Sequence, residues 1–68
     1  MDPTITKGKW EVEEDERLLK AVLTSDPRKW RQISNKMPGR RDIQVRYRIA
    51  KRKQWMLERG VAEEYLPD

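Results

Sequence analysis

Trp10 and Trp30 stand with 19 residues between them, and Ile49 follows Trp30 after 18 more. The chain is 68 residues long and has no Phe and no Cys, so no disulfide can staple it and the tryptophans must supply most of the bulky packing. There is room for one small domain. A chain this short buries only about 60% of its unfolded surface, so its core has to be built from few, large and local contributions. Trp10, Leu19, Val22, Trp30, Ile33, Val45 and Ile49 are the residues assigned to that core.

Helical periodicity fills the intervals between them. Residues 1–8, MDPTITKG, hold a Pro and a Gly and little apolar content, and are expected to form a flexible arm. From Glu11 to Leu23 the apolar set Val12, Leu18, Leu19, Val22 and Leu23 fits one face of a 3.6-residue period, with Glu13, Arg17 and Lys20 opposite. Asp26 followed by Pro27 has the chemistry of an N-cap and a first-turn proline, so a second helix of about ten residues is expected to start there. It would carry Trp30, Ile33 and Met37 inward before Pro38 and Gly39 stop it. From Asp42 no Pro or Gly occurs until Gly60, and strong helix formers dominate, which predicts one long third helix. At 100° per residue Val45, Ile49 and Met56 share an inward stripe, while Ile43, Arg46, Tyr47 and Ala50 lie on nearly the opposite one. The domain is placed at residues 9–60, and residues 61–68 read either as an acidic tail or as a short extra turn. Trp55 lies off the inward stripe and either covers the end of the bundle with Tyr65 or Leu66 or forms a partner patch.

Charge is segregated along the chain. Between Gly39 and Gly60, eight Lys and Arg residues face only Asp42 and Glu58, giving +6, while the remainder carries −2. An acidic block at Glu11, Glu13, Glu14, Asp15 and Glu16 and an acidic end at Glu63, Glu64 and Asp68 complete the polarisation. Such segregation points to one face meant for an anion. With no His and no Cys, the common metal ligands and general bases are missing, so zinc-finger and catalytic-triad chemistry are excluded and no metal, cofactor or enzymatic activity is expected. No apolar run approaches the roughly 18 residues that a membrane span needs, and no membrane partner is expected.

Several spaced motifs agree in order with a known family. K-G-K-W at residues 7–10, E-E-D-E at 13–16, L-L-K-A-V at 18–22, W-R-Q-I at 30–33 and P-G-R-R-D-I-Q-V-R at 38–46 resemble a Myb repeat and its SANT relatives. The stretch running on through Tyr47 and Arg48 is also similar to repeats in the large subunit of the snRNA-activating complex. The resemblance implies an all-α, homeodomain-like three-helix bundle with a helix-turn-helix, whose third helix enters the major groove of double-stranded DNA. It implies a nuclear transcription or chromatin factor that works with neighbouring repeats or other subunits. It also implies a salt bridge between Glu14 and Arg40, and a base-reading face at Ile43, Arg46, Tyr47 and Ala50. The family's third aromatic is replaced by Ile49, and its strong base readers, a Lys and an Asn, correspond to Arg46 and Tyr47; only the first keeps a similar charge, so the family's base preference does not carry over.

Residue chemistry independently supports groove binding. A helix fits the major groove, Arg46 can donate bidentately to guanine, and Ile43 or Ala50 can touch a thymine methyl. Arg41, Arg48, Lys51 and Lys53 flank that face and could reach phosphates. The competing reading is a SANT-like module that binds histone tails or partner subunits; a surface for cationic tails should be acidic, whereas the third helix is basic. An RNA-binding helix is disfavoured because no platform of several aromatics is visible.

Overall fold

The computed structural model describes residues 9–67; the arm expected at residues 1–8 lies outside the described residues, as does Asp68. Four α-helices follow one another, α1 Val12–Leu23, α2 Trp30–Ser34, α3 Asp42–Lys51 and α4 Lys53–Glu58, and a 3₁₀ turn spans Glu63–Tyr65. No strand occurs among the described residues, so the fold is all-α.

The first turn of α1 carries Glu13, Glu14 and Asp15 near the positive end of the helix dipole. At its other end the Lys36 ammonium donates to the Thr24 carbonyl at 2.8 Å, a cation where the terminal carbonyls need one. The buried face is Asp15, Leu18, Ala21 and Val22. This corrects the expected apolar set at both ends, because Val12 is 70% exposed and Leu23 is also exposed. Both sit roughly a quarter to a third of a turn away from the midline through Leu18 and Val22.

The start of α2 is also corrected. Asp26 does not cap it; its own N–H donates to the Gln32 side chain at 2.7 Å. Arg28 adopts a left-handed backbone with φ 61, which interrupts any helix begun at Pro27. Its Nε donates to the Leu66 carbonyl at 3.3 Å, tying this turn to the far end of the chain. The helix is therefore five residues long. Ile33 and Met37 are buried as expected, and Trp30 is half-buried. Gly39, at φ 84, makes the turn that sends the chain into α3.

A Gln44 side-chain oxygen accepts from the Arg41 N–H at 2.8 Å at the head of α3. Arginine has no acceptor to return the bond, so only half of a capping box forms. The long third helix expected through to Gly60 is divided at Arg52, whose N–H reaches the carbonyls of both Arg48 and Ile49. Arg52 falls between Ile49 and Met56 in the chain; its side chain stays 43% exposed while its Nε lies 3.4 Å from Asp15. Past that break α4 restores the stripe, and Gly60, at φ 96 just beyond its C-cap Arg59, turns the chain away. There the N–H groups of Gly60 and Val61 bond to the carbonyls of Leu57 and Met56, the paired bonds of a Schellman motif.

The centre is filled by Leu18, Val22, Ile33, Met37, Val45, Ile49 and Met56 from the helices and their turn, closed by Val61 and Leu66 from beyond α4. Each fully buried side chain of this size contributes about 1.5–3 kcal/mol. Trp10, Trp30, Trp55 and Leu19 are not at that centre but pack partly buried against its rim. The tryptophans are too large to be enclosed by helices this short. The Arg40 guanidinium lies 4.0 Å from the centre of the Trp10 ring and that of Arg59 4.2 Å from the centre of the Trp55 ring, so each ring meets a cation.

Candidate nucleic-acid interface

Packing of Val45 and Ile49 into the core fixes the rotation of α3, and the opposite stripe is thereby turned to solvent. Ile43 is 60% exposed and Tyr47 71% exposed, and Arg46 and Ala50 are exposed beside them. The structure brings these four together on one face. Arg41 is exposed at the head of the helix and Lys51 at its end, one turn beyond Tyr47. Lys53 lies past the break, half-buried in the first turn of α4.

The side of α3 toward α1 is electrostatically different. Glu14 holds Arg40 through a fork, 2.7 Å from Nε and 2.9 Å from Nη2, as the resemblance implies. Arg40 has no exposed side-chain surface and Glu14 only 18%. The Arg40 hydrogen bond holds the Glu14 carboxyl below its ordinary value. One residue further, Asp15 takes both arms of Arg48 at 2.8 Å. Arg48 is therefore corrected: its guanidinium does not stand free beside the outer stripe but is turned to a buried carboxylate that needs it. Its hydrogen bonds to Asp15 raise its pKa above the usual arginine value. Three of the eight cations between Gly39 and Gly60 are thus engaged with α1.

Between the two sides lies an open groove of about 520 Å³, lined by Lys9, Trp10, Arg40, Gln44, Tyr47, Arg48 and Lys51. Sequence reasoning gave Lys9 and Gln44 no part in it. Lys9 could have been found from its place beside Trp10, since the packed ring holds its neighbour next to α3; Gln44 carries no comparable signal. Among the described residues no cluster of acidic side chains is placed to hold a metal, and no helix is long and apolar enough to cross a membrane.

A short helix, a tight turn and a longer basic helix presenting an exposed face, with α1 packed behind them, define a helix-turn-helix domain. Residues 7–53 match the Myb-like DNA-binding domain model. The chain belongs to that family. It is 40% identical over 60 residues to human snRNA-activating protein complex subunit 4, covering 88% of this chain and 4% of that protein. It is 50% identical over 44 residues to the Myb-like DNA-binding protein BAS1 of Saccharomyces cerevisiae, 65% of this chain and 5% of that one. Transcription factor MYB3R-1 of Arabidopsis thaliana is 40% identical over 48 residues, 71% of this chain and 6% of the relative. The chain thus spans only a small part of the length of each relative. No solved structure matches it.

Proposed function

We propose that this domain binds double-stranded DNA by laying α3 in the major groove, as one module of a nuclear transcription factor. The observation that carries the reading is the outer face of α3, where Arg46 stands exposed between Ile43, Tyr47 and Ala50, with Arg41 and Lys51 at the two ends. Arg46 donates to a guanine edge. Arg41, Lys51 and Lys53, joined by Lys9 from the groove, contact phosphates and set the register without reading sequence. A single module of this kind buries roughly 600–1,000 Å², so useful affinity draws on neighbouring repeats or partner subunits. Similarity to a subunit of the snRNA-activating complex supports that arrangement.

Salt dependence tests the reading. With three or four phosphate contacts the log–log slope should be near −3, so affinity for duplex falls on the order of fiftyfold between 50 and 200 mM salt. Absence of duplex binding at low salt, together with binding of a histone-tail peptide, contradicts it and favours a SANT-like protein-interaction role.

A further inference from the structure

Six side chains on α3, Asp42, Gln44, Arg46, Tyr47, Arg48 and Lys51, could in principle read base edges by hydrogen bonds, but the fold engages two of them. The Gln44 oxygen accepts from the Arg41 N–H at 2.8 Å, which ties this half-buried amide to the head of the helix rather than to the outer face. Arg48 spends both arms of its fork on Asp15 at 2.8 Å. Asp42 and Lys51 stand at the two ends of the helix, and Arg46 and Tyr47 remain on the outer face. Around them the exposed surface is apolar: Ile43 and Tyr47 are the large hydrophobic side chains that α3 leaves exposed, and they stand one turn apart with Ala50 continuing the row.

We infer that α3 recognises thymine C5-methyl groups beside the guanine held by Arg46, with Ile43 and Tyr47 as the pair that determines specificity for those thymines. The inference rests on the duplex-binding reading above. An apolar side chain gains by covering a thymine methyl in the major groove and gains nothing comparable over cytosine or the purines. Side chains four apart on a helix have Cβ atoms about 5–6 Å from each other. Base pairs rise about 3.4 Å each along a strand. The two methyls therefore lie within about two base pairs of each other, next to the guanine held by Arg46.

Uracil differs from thymine only in lacking that methyl, which makes the test direct. The 68-residue chain is used to enrich a duplex from a random pool, and that duplex is then synthesised with thymine or with uracil throughout. Each lost methyl contact should weaken binding about fourfold, and two should weaken it about fifteenfold, from the transfer value of a buried carbon. Ile43→Ala and Tyr47→Ser should bind the two forms with more nearly equal affinity; both side chains are exposed, and thermal melting checks that the fold is kept. Equal affinity of the unmodified chain for both forms, with the salt slope retained, overturns the methyl reading and leaves duplex binding standing. A uracil penalty that neither substitution reduces overturns the assignment to Ile43 and Tyr47. If no duplex binds even at low salt, both readings fall and the apolar pair belongs to a protein-docking surface.

Discussion

The two sides of α3 carry the same residue type to opposite ends. Toward α1, Arg40 and Arg48 are forked onto Glu14 and Asp15, and Arg52 leans on the same aspartate at 3.4 Å. Toward solvent, Arg46 stands exposed among apolar neighbours, with Arg41 and Lys51 at the ends of the helix. A +6 segment therefore does not present six charges to a partner. Much of its arginine is structural, holding a basic helix against an acidic one and thereby fixing which stripe faces outward.

The largest effect should come from cutting the inner side. Asp15→Ala leaves Arg48 and Arg52 facing a partly buried site without their carboxylate, which costs about 3–5 kcal/mol. That is comparable with the whole stability of a small domain, about 5 kcal/mol at the lower end. Chemical denaturation measures it, and a loss below about 1 kcal/mol would mean that the aspartate is not an anchor.

Next comes the second fork. Glu14 and Arg40 are more enclosed than an ordinary surface pair, so a double-mutant cycle should give a coupling of about 1.5–3 kcal/mol. The Glu14 carboxyl is held below its ordinary value of 4.5, so its contribution is fully present above that pH and is lost as pH falls through the lower folded value. Glu14→Gln should flatten the acid limb of the stability profile; an unchanged limb would place the acid sensitivity elsewhere.

On the outer side the expected losses move from stability to binding. Arg46→Ala should leave the melting temperature in place while costing about 1–3 kcal/mol at a preferred duplex and relaxing preference at one base pair. Equal loss on every duplex would make Arg46 a phosphate contact instead. Smallest is Lys51→Ala, which should weaken all duplexes alike and reduce the salt slope by about one. Arg48→Ala is its opposite: stability should drop while the slope of the folded fraction stays as it was.

Much of this was legible in the sequence, for identifiable reasons. Helical period alone places Val45, Ile49 and Met56 inward and Ile43, Arg46, Tyr47 and Ala50 outward, because no Pro or Gly disturbs the count. Resemblance to the Myb family supplied the Glu14 and Arg40 pair. Asp15 was hidden: within the run Glu13, Glu14, Asp15 and Glu16 every residue reads as a solvated first turn, and only the rotation of α1 in the packed bundle buries the third of them. That rotation also exposes Val12 and Leu23. Asp26 and Pro27 have sound N-cap chemistry, but the left-handed turn at Arg28 is tied to Leu66, a contact across 38 residues that no local pattern records. The division of the third helix at Arg52 falls where no Pro or Gly stands in the chain to announce it.

Backbone amide chemical shifts, followed as duplex DNA is added at low salt, test the division between the two sides most directly. Ile43, Arg46, Tyr47, Ala50 and Lys51 should shift, while Glu13, Arg17 and Leu23 on the exposed side of α1 stay in place. Shifts confined to α1, or none at all, would contradict the account.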